Sequence, residues 1–139
     1  MKQLFLPIML LCLAFTANAQ LEKIMHQTFE ISEAEDITID LMGDYAIEHW
    51  AGNTIMTETK VELFEASPAI LKHFVEKAKR YNVATESIND NSIRLYSTDK
   101  ERKAIRTKFG ECYELVNIRV FIPENYEILN DSLLTKKDN

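Results

Sequence analysis

Residues 54–64, TIMTETKVELF, decide the fold class, because apolar or β-branched side chains occupy every second position. The odd-numbered positions from Ile55 to Leu63 share one side, as a strand with one buried face requires. The same alternation recurs in DITIDL, residues 36–41, and in ELVNIRVFI, residues 114–122. The sequence therefore predicts a mainly β fold.

Further strands and one helix complete the predicted architecture. Short alternating segments predict additional strands at residues 23–31, 45–50, 83–88, 92–97 and 126–129. Ser67 is a good N-cap and Pro68 suits the first helical position, and apolar residues then recur three and four apart as far as Tyr81. We expect an antiparallel or solenoid-like sheet, or a two-layer sandwich, with this amphipathic helix packed across it.

Turn residues predict how the strands connect. Ala51-Gly52-Asn53 is expected to close a hairpin between the strands on either side of it. Residues 98–113 have little pattern and are predicted to form an exposed loop. Residues 131–139 are predicted to be a polar C-terminal tail that frays.

The first 19 residues have the three parts of a cleavable signal peptide. Lys2 precedes an apolar run, and Ala17-Asn18-Ala19 places small residues where a signal peptidase cleaves, predicting a cut between Ala19 and Gln20. Residues 20–130 are then one β-rich domain with no transmembrane segment. The expected location is the periplasm or outside the cell. Cys112 is the sole cysteine after residue 19, so an internal disulfide is excluded there.

Charge narrows the classes of partner. The chain has 16 basic and 22 acidic residues, and losing Lys2 with the signal peptide leaves a net charge of −7. General nucleic-acid binding needs a basic footprint, so the charge argues against it. Such a charge also favours solubility and opposes self-association.

Few side chains in the sequence are placed for catalysis. A Cys/His nucleophile could combine Cys112 with one of three scattered histidines, His26, His49 or His73. No local motif surrounds the cysteine, however. The other interpretation is that Cys112 is a buried or incidental thiol. No pair has metal-ligand spacing, and three isolated glycines make no phosphate loop. The sequence therefore predicts a protein that is not an enzyme and has no metal or cofactor.

Two features are candidates for partner binding. The first is a basic cluster that interrupts the acidic background, formed by Lys100, Arg102, Lys103, Arg106 and Lys108. It could dock an acidic protein surface, a polysaccharide or lipid headgroups, or it could be a solvated loop. The second is Trp50, which could be a binding hot spot or could cap the sheet edge beneath a loop.

One family resemblance covers residues 28–129. The run ITIDLMGDYAIEHWAGNTI, residues 37–55, resembles the opening of the bacterial adhesin-like β-repeat domains, and VFIPENY, residues 120–126, resembles their proline turn. The resemblance implies an exported envelope protein. In that family further β-repeats stack as a solenoid after this turn, whereas this chain matches only the first unit. No functional residue is carried over.

Three functional hypotheses follow. The first is a non-enzymatic interaction module of the cell envelope that binds an envelope or surface protein, for example by strand addition at its terminal strands. The second is a small exported ligand carrier or inhibitor with a pocket between helix and sheet, under Phe74 and Tyr81. The third is a hydrolase using Cys112, which the sequence argues against.

Overall fold

The computed structural model describes residues 20–138. The predicted signal peptide, residues 1–19, lies outside this range. Within it, no helix has both the length and the apolar character needed to cross a bilayer. The predicted mainly β class is confirmed, since strands dominate and one short helical segment interrupts them.

Two sheets contain nine of the eleven strands found between residues 20 and 138. The four-stranded sheet has the order β1 (Leu21–Phe29), β4 (Ile55–Phe64), β9 (Tyr113–Pro123), β3 (Asp44–Trp50). The five-stranded sheet has the order β10 (Tyr126–Asn130), β11 (Leu133–Lys136), β2 (Asp36–Asp40), β6 (Ser92–Ser97), β5 (Val83–Asn89). A separate hairpin pairs β7 (Arg106–Thr107) with β8 (Gly110–Glu111).

Two parallel pairings join distant parts of the chain. Strand β3 runs parallel to β9, with Asp44 opposite Asn117, and β2 runs parallel to β6. The predicted hairpin at residues 51–53 is therefore wrong, because β9 lies between β3 and β4. This central position lets the strongly apolar inner face of β9 pack with neighbours on both sides. The chain passes from the five-stranded to the four-stranded sheet at Gly43, whose φ of +96° favours glycine.

The main core lies between the two sheets. Alternate side chains of both sheets point into it and are at most 3% exposed, among them Ile37, Ile39, Leu95, Leu134, Ile55 and Val120. Burying each such side chain contributes about 1.5–3 kcal/mol. The alternating apolar residues that predicted these strands are thus the residues that point into the core, and the residues between them point to the surface.

The helix begins as predicted but ends early. The Ser67 hydroxyl accepts a hydrogen bond from the amide of Ile70, and α1 spans Pro68–Lys72. One π-helical turn, His73–Lys77, follows. Lys79 then adopts a φ of +51°, which ends the helix before the predicted boundary at Tyr81.

A second, smaller core lies beneath the helix. It joins Leu71 of α1 and Tyr81 to the inner face of β4, and it also contains Ile105 and Cys112. The segment predicted as an exposed loop, residues 98–113, therefore contributes two buried side chains, 3% and 8% exposed. These two side chains attach the segment to the second core.

The predicted C-terminal tail also differs from the structure. Residues 133–136 form β11, which pairs with β10 on one side and β2 on the other. Leu134 is fully buried in the main core. Two adjacent leucines in a polar context are a weak strand signal. The strand is stabilised by its pairing with β2, which is distant in sequence.

Side-chain hydrogen bonds close both seams between the sheets. On one side, the Gln27 amide donates to the carbonyl of Val83 (3.1 Å) and accepts from its N–H (2.9 Å), linking edge strands β1 and β5. On the other, His49 donates to the carbonyl of Tyr126 (2.7 Å) and the Tyr45 hydroxyl to the carbonyl of Asp131 (2.8 Å). A strand added at these edges would have to displace such contacts.

Thr57 is an isolated polar group in the main core. It is fully buried, and its hydroxyl has no hydrogen-bond partner among the described residues. We expect Thr57→Val to stabilise the fold by about 1 kcal/mol, because a methyl group replaces an unsatisfied hydroxyl. Urea unfolding measures this change, with Thr59→Val, also buried, as the matched control. A loss of stability in Thr57→Val would contradict the expectation.

Candidate functional site

The outer face of the four-stranded sheet is the most extended candidate surface. The main core covers the inner face of this sheet, and no other element between residues 20 and 138 packs across its outer side. Register places one outward side chain from each strand in a row, namely His26, Glu58, Arg119 and Ala46. Glu48, two residues beyond Ala46, is the next outward residue of β3. We call His26, Glu58, Arg119 and Glu48 the charged ladder.

The charged ladder is continuous. The His26 ring lies 2.9 Å from one carboxylate oxygen of Glu58, and the other oxygen accepts from Arg119 at 3.4 Å. Arg119 also donates to Glu48, at 2.8 and 3.2 Å. The hydrogen bond with His26, followed by Arg119, lowers the pKa of Glu58, and the bonds to Glu48 raise the pKa of Arg119. The ladder thus places the Arg119 guanidinium between the carboxylates of Glu58 and Glu48 on the outer face of the sheet.

Glu58 is expected to make the stability of the fold depend on pH. Its pKa is lowered from 4.5 by folding, so its contribution to stability is complete above that pH and is lost as the pH falls through the folded-state value. We expect the wild type to lose thermal stability more steeply than Glu58→Gln between about pH 5 and 3. Thermal unfolding across that range measures this, with Glu127→Gln as a control for removing one charge. Parallel profiles for wild type and Glu58→Gln would contradict it.

Apolar side chains lie at one end of this outer face. Phe64 and Tyr113 are paired across β4 and β9, with ring centroids 5.5 Å apart. Tyr113 is 62% exposed, and Leu115, two residues along the same face, is 37% exposed. Ile24 on β1 is 46% exposed on the same side. The face therefore combines fixed charges with accessible apolar area.

Trp50 lies at the opposite end of this sheet and packs against its own turn. Its indole N–H donates to the carbonyl of Thr54 (2.9 Å), and its ring lies so close to Gly52 that a Cβ there would be 2.3 Å from it. This contact explains the glycine. Trp50 also lines a cavity of about 370 Å³ with polar walls that include Asn53, Glu124 and Lys136. Trp50 therefore packs against its own turn, as one interpretation expects, and it also lines a cavity, as the binding interpretation requires.

The structure divides the predicted basic cluster. Lys100 lies 3.7 Å from Asp40, beside the five-stranded sheet. Arg106 pairs with Glu111 (3.1 Å) across the β7–β8 hairpin, whose turn carries Lys108, and Lys103 precedes the hairpin at 88% side-chain exposure. Arg102 points inward instead. Three of the five cations are thus on or beside the hairpin.

Arg102 joins a buried polar network that the sequence did not predict. Arg80 donates two hydrogen bonds to the Glu114 carboxylate (2.9 and 3.1 Å), and the Tyr81 hydroxyl donates to the same group. The Arg102 guanidinium lies 5.5 Å from the Tyr81 ring. The Nε and Nη2 atoms of Arg102 are buried and have no hydrogen-bond partner among the described residues.

Burial sets the pKa values in this network. It raises the pKa of Tyr81, with Glu114 adding to the effect, and lowers the pKa of Arg102. Burial opposes charge on Arg80 too, but the hydrogen bonds to Glu114 raise the pKa of that guanidinium overall. The network therefore joins β9 to the segment after the helix through Glu114, and Arg102 contacts it through the Tyr81 ring.

The remaining predicted groups do not converge. The Cys112 thiol donates to the carbonyl of Glu65 (3.4 Å), while His26 contacts Glu58 and His49 contacts the carbonyl of Tyr126. His73 is on the exposed side of the helical segment. Tyr81, beneath which a ligand pocket was predicted, is fully buried in the second core. Across residues 20–138, no group of three His, Cys, Asp or Glu side chains could hold a metal ion.

The sequence contained a signal for the charged ladder. In β1, β4 and β9, most positions between the core residues near the middle of each strand are charged or polar, His26, Glu58 and Arg119 among them, and the alternation predicts that they point outward. Which residues become neighbours depends on strand order, and local sequence does not supply that. No protein-family model, curated protein or solved structure matches this chain.

Proposed function

We propose that this chain is an exported, non-enzymatic interaction module of the bacterial cell envelope, adhesin-like in its β-rich build, that binds a protein through the outer face of the four-stranded sheet. The observation that carries the proposal is the juxtaposition of the charged ladder with exposed apolar side chains on one rigid face. Apolar area supplies affinity in protein interfaces, and fixed charges supply orientation and specificity.

The charge of this face indicates the chemistry of the partner. Outward acidic side chains outnumber basic ones; they are Glu22, Asp44, Glu48, Glu58 and Glu62, against Lys60 and Arg119. The partner surface is therefore expected to be basic around an apolar centre. Binding through the face requires none of the seam contacts to break, which favours it over strand addition at β1 or β3.

Site-specific photo-cross-linking tests this proposal. A cross-linking residue at Ile24, on the outer face, is compared with one at Leu129 in the five-stranded sheet; the two positions are 46% and 51% exposed. Both full-length proteins are expressed in the native host, and envelope and secreted fractions are separated. We expect one defined protein to be captured from Ile24 and not from Leu129.

A charge reversal adds specificity to the test. Glu48→Arg reverses a charge of the ladder, while Glu127→Arg makes the same change on exposed β10. Capture should fall at least tenfold with Glu48→Arg and be unchanged with Glu127→Arg, since like charges across an interface cost several kcal/mol. Equal capture from both cross-linking positions, or equal effects of both reversals, would contradict the proposal.

A ligand carrier is the second candidate, and the cavity beside Trp50 favours it. Its volume of about 370 Å³ is within the range of small-molecule sites. Trp50 is the one tryptophan of the chain, so its fluorescence reports on this cavity directly. Native mass spectrometry of the protein from its host should show a bound small molecule, and removing it should shift the emission of Trp50. No bound mass would reject this candidate.

A further inference from the structure

The β7–β8 hairpin projects a large apolar side chain into solvent. Phe109, in its two-residue turn, is 87% exposed, although burying a phenylalanine is worth about a tenfold or larger change in an equilibrium constant. The two strands form their own sheet and pair with neither large sheet. Gly110, the next residue, has φ of +119° and no atom within 4 Å of where a Cβ would be.

A groove lies between this hairpin and the start of the helix. It has a volume of about 560 Å³, and its walls are largely apolar, with Ala66 and Ile70 on the helix side and Phe109 on the other. The charged side chains at its rim are Glu65 and Lys108. The Lys108 ammonium lies 5.1 Å from the Phe109 ring, so the tip combines an aromatic ring with a cation.

The charge of this segment is opposite to that of the rest of the molecule. Residues 100–111 contain five basic and two acidic side chains, whereas the remainder of residues 20–138 contains ten basic and twenty acidic ones. Three of those cations, Lys103, Arg106 and Lys108, are on or beside the hairpin, whereas Lys100 lies beside Asp40 and Arg102 points inward. Lys103 lies 3.7 Å from Glu101 and Arg106 lies 3.1 Å from Glu111, so the hairpin and the residues beside it have a net charge of +1. An anionic surface would therefore attract the hairpin and repel the body, which orients the molecule with Phe109 foremost.

We propose that the β7–β8 hairpin is a membrane-contact finger that inserts Phe109 into the interface of an anionic lipid bilayer while Lys103, Arg106 and Lys108 contact the headgroups. Aromatic side chains favour the headgroup boundary of a bilayer, and flanking cations add attraction to anionic lipids. The surface is separate from the charged ladder, so this proposal and the protein partner of the sheet face are independent.

Vesicle co-sedimentation tests the membrane finger. Each variant is purified from the exporting host and its N-terminus is read by mass spectrometry, because residues 1–19 would bind lipid by themselves if retained. Vesicles of phosphatidylglycerol mixed with phosphatidylcholine are compared with phosphatidylcholine alone, at low and high salt. We expect binding to the anionic vesicles, at least tenfold weaker binding to the neutral ones, and weakening by salt.

Matched variants localise the contact. Phe109→Ser should reduce vesicle binding about tenfold, whereas Ile88→Ser, a 54% exposed position in the five-stranded sheet, should leave it unchanged. Lys108→Glu should reduce binding to the anionic vesicles by at least about fivefold. Thermal unfolding of the three variants is the control that checks whether each retains the fold.

Three outcomes would overturn the proposal. They are no binding to anionic vesicles, equal binding to both vesicle types, and equal binding by wild type and Phe109→Ser. If vesicles do not bind while Phe109→Ser abolishes cross-linking of an envelope protein, the hairpin is a protein contact instead. Loss of vesicle binding with unchanged capture from Ile24 would support the finger and leave the proposed function intact.

Discussion

Truncation of the chain after Asn130 is expected to abolish cooperative folding. It removes β11, which supplies the ladder partner of β10 and one partner of β2, and it removes Leu134 from the main core. Loss of that one leucine side chain alone costs about 2–5 kcal/mol, and loss of the pairing on both sides adds to it. Since a domain of this size is stable by about 5–15 kcal/mol, the truncated chain should be unfolded or nearly so.

Circular dichroism with thermal unfolding measures the effect of truncation. Ending the chain after Lys137 is the matched control, because it retains the backbone hydrogen bonds of Lys136 to Glu35 and of Lys137 to Asn125. The control should unfold at the wild-type temperature. A truncation at Asn130 that still unfolds cooperatively near that temperature would show that residues 131–139 are the dispensable tail that their composition predicts.

Glu114→Ala is expected to destabilise the fold by about 3–5 kcal/mol, because it removes one partner of a buried ion pair. Arg80 and Glu114 have side-chain exposures of 6% and 17%, and the carboxylate accepts hydrogen bonds from both Arg80 and Tyr81. Without it, a buried guanidinium and a buried phenol lose their acceptor, and Arg102 nearby loses a compensating charge.

Urea unfolding measures this loss, and two further variants interpret it. Glu114→Gln keeps an acceptor oxygen for Tyr81 and should recover part of the stability. Glu111→Ala removes the partner of Arg106 from the exposed hairpin and should change stability by less than about 1 kcal/mol. Similar effects of Glu114→Ala and Glu111→Ala would mean that the buried network contributes little.

Local pattern predicted the strands whose two faces differ in burial. In strands β2 and β4, apolar or β-branched residues occupy every second position, and those residues are the buried ones in the structure. The start of the helix was also predictable, because Ser67 and Pro68 act through local backbone geometry. These signals act over a few residues, and short segments contain all of the information they need.

Pairing partners were not predictable in the same way. The hairpin expected at residues 51–53 was wrong because β9, which begins about sixty residues later, lies between the two strands. The early end of the helix depends on Arg80 and Tyr81 turning inward to Glu114, a residue of that same distant strand. Both features result from contacts that no local window contains.

The candidate surfaces were likewise predictable in their residue types but not in their arrangement. The basic cluster was visible as composition, but the inward turn of Arg102 and the outward position of Phe109 depend on how residues 98–113 pack. The charged ladder required both alternation, which the sequence contains, and strand order, which it does not. Residue type was thus predictable here, and arrangement was not.

The long-range pairings also bear on how fast the chain folds. Strand β3 cannot pair until β9 is available, because Asp44 pairs with Asn117. Strand β2 likewise cannot complete its pairing until β11 is available, because Thr38 pairs with Leu133. Such high contact order slows folding to the order of milliseconds to seconds, because long loops must close before their contacts stabilise them. The four-stranded sheet is complete only once β9 has been synthesised, and the five-stranded sheet only once β11 has been synthesised. If the chain is exported as proposed, slow folding would leave it unfolded for longer after synthesis, and an unfolded chain is what a narrow translocation channel can admit.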